Sequence, residues 1–271
     1  MLTSAANPRV KALVRLRKRS SRDDRSVTLV EGYDELALAL EGGGRPIELF
    51  CAPEVAGPDP LGVAARISAF PGATVTEISR GVLEKISYRE SPDGWLAVMQ
   101  TPGCALDRLD PGPGPLMLVC ESIEKPGNLG AMLRTAEAAG VSAVISAEAV
   151  TDWGNPNVVR ASKGTVFTVP VAVDSSAAVL AWLRTRHAAV VVTTPDGTRS
   201  PAEVDMTGPT AVVIGSESSG VTPLWHKEAD AAVRIPMYGH VNSLNAAAAA
   251  AIVLYEANRQ RHAVGEPRND P

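Results

Sequence analysis

The segment Ile235-Pro236-Met237-Tyr238-Gly239-His240-Val241-Asn242-Ser243-Leu244-Asn245 runs into an alanine-rich stretch that reaches Glu256. It opens as a strand ending in Ile-Pro, passes through a loop rich in Gly, Asn and Ser, and enters a helix at Ser243-Leu244-Asn245. Ser243 is the expected N-cap, because its hydroxyl can accept a free amide of the first helical turn. A helix entrance also gathers unpaired N–H groups, which suit a polar or anionic ligand. Behind it, Ala246 to Ala251 give the helix a face so small that a neighbouring backbone can come close. Such a pairing of polar loop and small-faced helix is unusual for a plain structural element, and its purpose depends on the rest of the chain.

Working back from that segment, residues 116–120, 143–146, 166–173, 188–193, 210–214 and 233–235 read as strands. The runs 188–193 and 210–214 are continuously apolar, the pattern of a parallel strand buried on both faces. Residues 127–140 and 175–186 read as helices, and the last helix runs from Ser243 to about Gln260. The alternation predicts an α/β fold in which function collects at the carboxyl ends of the strands. The first hundred residues give a smaller α/β series. Helices are expected over 7–19, 31–40, 61–70 and 81–86, and strands over 27–30, 47–51, 74–78 and 95–99. Residues 101–115 hold four prolines and three glycines and read as a linker. The expected domains are therefore 1–100 and 116–271.

Composition narrows the class. The chain has 271 residues, 45% hydrophobic and 21% charged, enough to fold and bury a core. Aromatics are only 4%, so that core is built from Ala, Val, Leu and Ile. Cys51, Cys104 and Cys120 are scattered and the four histidines lie far apart, which predicts no disulfide framework, no metal site and a reducing compartment. The start is polar and basic, and no apolar run approaches the length of a membrane span. A cytoplasmic protein is expected.

Net charge is −4, yet residues 1–25 carry eight basic side chains against two acidic ones, leaving −10 for the remainder. A basic segment on an acidic body is the asymmetry expected where one surface meets a polyanion. Arg9, Lys11, Arg15, Arg17, Lys18 and Arg19 are the candidate nucleic-acid contacts. The plainer alternative is a solvated basic helix.

Two further stretches carry chemistry. Glu124-Lys125-Pro126-Gly127-Asn128-Leu129-Gly130-Ala131-Met132-Leu133-Arg134-Thr135-Ala136 follows the strand 116–120. Gly127 and Gly130 permit close backbone approach, and Asn128 and Arg134 can share a cleft only if Asn128 sits in the loop. Val212-Val213-Ile214-Gly215-Ser216-Glu217-Ser218-Ser219-Gly220 takes a buried strand into a glycine-rich loop suited to reading a nucleoside through backbone groups. Burying Glu217 would be costly without a partner, for which Arg134 is the natural candidate. A capped structural helix and an ordinary βα turn are the corresponding plain readings. The P-loop, dinucleotide and GxSxG patterns are absent.

Taken together, Asn128-x-Gly130-x-x-x-Arg134-Thr135-Ala136, Ile214-Gly215-x-Glu217-x-x-Gly220, and Ile235-Pro236-Met237-x-Gly239 with Ser243-Leu244-Asn245 and Tyr255-Glu256 resemble the three signature motifs of the SpoU (TrmH-like) family. This family belongs to the SPOUT superfamily and comprises S-adenosylmethionine-dependent RNA ribose 2′-O-methyltransferases. The motifs occur in order over residues 116–260. Asn7-Pro8-Arg9-Val10-Lys11 and Val30-Glu31-Gly32 resemble the opening of the accessory domain of the rRNA-directed branch, which has the fold of a kink-turn-binding ribosomal protein.

The resemblance implies a parallel α/β sheet with a deep C-terminal trefoil knot and S-adenosylmethionine bound bent inside it. Gly215, Ile235 and Leu244 would contact the cofactor through backbone groups, with Thr193, Glu217 and Gly220 in the same pocket. Arg134 would lie beside the 2′-OH, oriented by Glu217. Asn128, Ser243 and Asn245 would position ribose, phosphate and arginine. A homodimer through the knot helices, with a site drawn from both subunits, and no metal are implied as well. Ribosomal RNA, 23S above all, is the expected substrate, in a branch that includes enzymes protecting ribosomes from antibiotics. A tRNA 2′-O-methyltransferase, a non-catalytic RNA-binding protein and a nucleotide-binding metabolic enzyme are the alternatives. Arg160, Ser162 and Lys163 lie in a stretch, 153–165, that reads equally as an RNA contact or a structural loop.

Overall fold

The computed structural model describes residues 1–263. The chain divides into two compact units, one of Met1–Pro102 with Asp152–Thr168, the other of Gly103–Thr151 with Val169 onward.

In the first unit, α1 (Pro8–Arg15) starts at Asn7, whose side chain accepts the Arg9 N–H at 2.8 Å, with Pro8 at the first helical position. The helix expected over 7–19 is broken at residues 16–18. There the N–H groups of Leu16, Arg17 and Lys18 bond three residues back rather than four, and α2 (Arg19–Asp23) begins anew. There follow β1 (Val27–Glu31), α3 (Tyr33–Glu41), β2 (Pro46–Cys51), α4 (Val63–Ser68), β3 (Thr74–Glu77), α5 (Arg80–Ile86) and β4 (Trp95–Gln100). The sheet runs β1-β4-β2-β3; β4 is antiparallel to both neighbours, and β2 and β3 are parallel. Val10, Leu13 and Leu16 pack with Leu29, Phe50, Ile78, Leu83 and Leu96 in one core. Each such buried side chain contributes roughly 1.5–3 kcal/mol.

In the second unit, β5 (Leu116–Glu121) leads to α6 (Pro126–Ala138) and β6 (Ala143–Ala147). The chain then leaves to form α7 (Pro156–Ala161) and a tight turn at Thr165–Phe167, both part of the first unit. Buried Arg22 pairs with Asp152 at 2.7 Å, and the Thr28 hydroxyl donates to the Gly154 carbonyl at 2.6 Å. Gly164, at φ +85°, lies so close to α3 that a Cβ there would stand 2.8 Å from the Glu35 carbonyl oxygen. The stretch 153–165 is therefore a packed element of the first unit. The strand expected over 166–173 shortens to β7 (Val171–Asp174), because residues 165–167 turn against α3.

The chain continues as α8 (Ser176–Thr185), β8 (Ala189–Thr193), β9 (Thr210–Ile214), α9 (Pro223–Glu228), β10 (Ala231–Val233) and α10 (Ala246–Ala263). The sheet order is β10-β8-β9-β5-β6-β7, parallel at every pairing. Alternation along the strands builds two apolar layers. Met117, Val119, Ile145, Val190, Val192 and Val213 face α8 and α9. The opposite layer meets α6 and α10, which pack on each other and bury Leu129, Met132, Leu133, Ala250, Val253 and Leu254. Leu106 and Leu109, inside the expected linker, are buried in the first of these layers, so much of 101–115 is fixed in the second unit.

Candidate functional site

The sheet register collects the motif loops. Val233 pairs with Thr193, Thr193 with Ile214, and Ile214 with Cys120, so four parallel strands end at one level. Neighbouring strands lie about 4.8 Å apart. Thr193, Gly215 and Ile235 thus stand at adjacent loop entries. The strand order also reverses direction between β5 and β9, the kind of switch point at which open α/β sheets bind ligands.

The loop after β9 is tightly built. Ser216 and Gly220 exchange two backbone hydrogen bonds, of 3.1 and 3.0 Å, and Gly220 has φ +67°. Gly215 has no room for a side chain, since a Cβ would collide with the Gly220 carbonyl and the Val221 nitrogen. At the tip, Ser218 Oγ donates to Glu124 Oε1 at 3.2 Å, tying this loop to the one after β5. Glu217 is exposed and forms no ion pair with Arg134. The expected pairing is absent, and the premise for it fails as well, because Glu217 is not buried.

The carboxylate that is buried at the sheet's end is Glu121, and nothing in the sequence marks it. The β8–β9 connection holds a second missed residue, Gly197. A Cβ there would lie 2.5 Å from the Val233 carbonyl carbon, while Thr194 N–H bonds Val233 O and Arg234 N–H bonds Arg199 O.

The entrance to α10 departs from expectation. The helix begins at Ala246, and Asn245 caps it: its Oδ1 accepts the N–H groups of Ala247 at 2.9 Å and Ala248 at 3.4 Å. Ser243 is exposed and two residues too early to cap. Asn245 Nδ2 also donates to Asn128 Oδ1 at 3.1 Å. Asn128 lies in the first turn of α6, not in the preceding loop. Arg134, six residues along the same helix, therefore projects about 120° away from it. Arg134 is exposed and makes no hydrogen bond or ion pair among the described residues. The last strand stops at Val233, so Ile235 stands outside it, half-buried, and Leu244 is exposed.

Two polar atoms at this end of the sheet are buried without partners among the described residues: Thr193 Oγ1 and Asn128 Nδ2. Cys120 is buried in the α6 and α10 layer, and burial pushes its thiol pKa far up, which leaves it unreactive. Among the described residues no group of three or more His, Cys, Asp or Glu side chains is placed to hold a metal ion. No helix among them is long and apolar enough to cross a membrane.

Residues 115–255 match the profile of the SpoU rRNA Methylase family, and residues 7–97 match that of the MRM3-like substrate binding domain. The chain belongs to the SpoU rRNA methylase family. A tRNA/rRNA methyltransferase of Synechocystis, itself uncharacterised, is 32% identical to this SpoU chain over 98% of its length and 96% of the relative's. A 23S rRNA (uridine(2479)-2'-O)-methyltransferase of Streptomyces viridochromogenes is 38% identical, over 66% of this chain and 65% of the relative. Among solved structures, an AdoMet-bound rRNA methyltransferase from Sinorhizobium meliloti superposes with a TM-score of 0.87 at 31% identity, covering 95% of this chain and 97% of the other.

The basic N-terminal segment of the SpoU chain proves to be of two kinds. Arg9 bonds Glu48 and Thr76. Arg17 donates to the Lys85 and Ser87 carbonyls at 3.2 and 2.8 Å and stacks over Tyr88, and Arg19 lies 3.4 Å from Asp23. These three are engaged within the first unit. Lys11, Arg15 and Lys18 are exposed and make no such bonds among the described residues.

Proposed function

We propose that this chain transfers a methyl group from S-adenosylmethionine to a ribose 2′-OH of ribosomal RNA, most specifically 23S rRNA. One observation carries the reading: buried Thr193 Oγ1 and Asn128 Nδ2 lack partners where the three family loops meet. A buried polar atom without a partner costs about 1–3 kcal/mol, and a ligand that hydrogen-bonds there recovers it. Thr193, Gly215, Gly220, Ile235 and Leu244 would hold the cofactor, which supplies an electrophilic sulfonium methyl when bound.

The ribose hydroxyl is a weak nucleophile, so the protein must stabilise the developing alkoxide and hold it in line. A guanidinium carries donors and no acceptor, so that of Arg134 stabilises the oxygen's charge while water or phosphate takes the proton. Asn245 holds the Asn128 amide by its oxygen, which leaves Asn128 Nδ2 free to donate to ribose or phosphate. Ser243 and Glu217, both exposed at loop positions, complete the set on the RNA side.

Arg134 points away from Asn128 on its own helix, which supports an active site completed by a second copy of the chain. Exposed Tyr238, Val241, Ile252 and Tyr255 around α10 support a homodimer through α6 and α10. The approach of Gly197 to Val233 and Arg234 supports a trefoil knot in which the 194–209 connection encloses the C-terminal segment. The first unit serves as the RNA-binding domain, with Lys11, Arg15 and Lys18 as its phosphate contacts.

The test is methyl transfer from labelled S-adenosylmethionine to 23S rRNA, with the modified position mapped as a ribose resistant to alkaline cleavage. Transfer to tRNA alone, or to the base, would overturn the reading.

A further inference from the structure

The reaction as proposed leaves one buried carboxylate of the second unit without a task. Glu121, the last residue of β5, is fully buried. Its Oε2 accepts the Thr222 N–H at 2.8 Å, and its Oε1 accepts the hydroxyls of Thr222 at 2.7 Å and Ser176 at 2.9 Å. Ser176 Oγ in turn accepts the indole N–H of Trp225, itself fully buried, at 3.2 Å. We infer that Glu121 is a positioning residue for the methyl-donor pocket, fixing the exit of the 215–222 loop. The inference rests on the proposal that this loop holds S-adenosylmethionine.

The connection is short. Cys120 and Ile214 are register partners, so Glu121 and Gly215 are the next residues on neighbouring strands. Gly215 packs on Gly220 with no space for a methyl group, and Ser216 and Gly220 are joined by two backbone bonds. Any shift of the loop's exit therefore moves the Gly215 backbone with it. Two residues past Gly220, the chain is held by Thr222, with buried Val221 between them. Thr222 stands at the N-cap of α9, yet its hydroxyl caps nothing. The hydroxyl and the N–H both go to Glu121, which makes the carboxylate the anchor of that exit.

A neutral cap would have served the helix alone. Burying a carboxylate is costly unless it is fully hydrogen-bonded, and here three donors converge on two oxygens. The Thr222 N–H can only donate, so the atom facing it must stay an acceptor; an amide isostere meets this only with its nitrogen at the Oε1 position, where both hydroxyls must turn round to accept and the charge that strengthens all three bonds is lost.

The test uses the full chain and reads the dissociation constant for S-adenosylmethionine by calorimetry beside KM and kcat for methyl transfer. Glu121→Gln and Thr222→Val are each expected to raise Kd and KM for the cofactor about five- to fiftyfold, with kcat at saturating cofactor within about threefold of wild type. Thr222→Ser keeps the hydroxyl and should restore affinity. Ser176→Ala removes the hydroxyl shared by Glu121 and the Trp225 indole but leaves both Thr222 bonds in place, and should lower Tm with Kd unchanged. A folded Glu121→Gln chain that binds cofactor within about twofold of wild type would overturn the inference. If Glu121→Gln does not fold, the same result with Thr222→Val overturns it. Failure of the wild-type chain to bind S-adenosylmethionine would instead remove the functional reading beneath it.

Discussion

Replacing Arg134 with alanine is expected to separate catalysis from folding. The side chain lies on the exposed side of α6 and makes no bond among the described residues. Alanine is at least as good a helix former, so stability should change by no more than about 0.5 kcal/mol. For a chain of this size that is a Tm shift within about 2 °C. Losing a group that stabilises developing oxyanion charge costs about 10²–10³ in kcat. Arg134→Lys keeps the charge but loses the planar fork, and should fall between the two. Single-turnover methyl transfer to 23S rRNA gives the rate, and calorimetry should find cofactor affinity within about twofold of wild type. Subunit mixing then locates the site. If Arg134 acts across a two-fold dimer, random mixing of Arg134→Ala with Asn128→Ala chains should restore about a quarter of wild-type activity, because half the dimers carry one intact site. If it acts within its own subunit, mixing restores nothing. An Arg134→Ala chain within about fivefold of wild-type kcat would refute the role given to this residue.

Asn245→Ala removes the α10 cap and the partner of Asn128, so a loss of about 1 kcal/mol in thermal unfolding should accompany a deeper loss of activity. Gly215→Ala should abolish cofactor binding through collision with the Gly220 backbone, whereas Gly127→Ala, which meets nothing within 4 Å, should leave Tm unchanged. Neutralising Lys11, Arg15 and Lys18 together should lower the slope of log K against log salt for RNA binding by about 2–3, and an unchanged slope would reject them as phosphate contacts. The Arg259 guanidinium, with help from Gln260, holds Glu256 down to about 2. Its folded pKa is below the unfolded one, so its contribution is complete above the ordinary glutamate range and is lost as pH falls toward 2. Urea titrations across that window should show a shallower acid loss for Glu256→Gln than for wild type.

The parallel sheet was legible because its strands are apolar runs with no competing reading; the expected strands 116–120, 188–193 and 210–214 lie within one residue of β5, β8 and β9. The shorter elements were hidden for a specific reason. The helix α9 has only six residues and a single buried side chain, Trp225, so it leaves no periodic trace. Residues 156–161 fold as α7 by packing on β1, more than a hundred residues upstream, and no local pattern announces that.

Polar roles divide along the same line. Ser243 and Asn245 are both good capping residues, and side-chain chemistry alone cannot choose between them. The choice falls on Asn245 because an amide has two ends: its oxygen caps α10 while its nitrogen reaches Asn128, a link a serine hydroxyl at Ser243 does not make. The basic run was visible as charge. What engages Arg9, Arg17 and Arg19 within the first unit is Glu48, the carbonyls of Lys85 and Ser87, and Asp23, of which only Asp23 is near in sequence. Glu121 is the extreme case. As a lone glutamate after an apolar strand it reads as the point where the chain meets water, and only Thr222 and Ser176, brought in by two later helices, turn it into a buried anchor. Apolar periodicity is written locally, so it survives without tertiary information. A polar group's role is set by its partner, and for Arg17, Glu121 and the Asn128–Asn245 pair that partner lies more than fifty residues away.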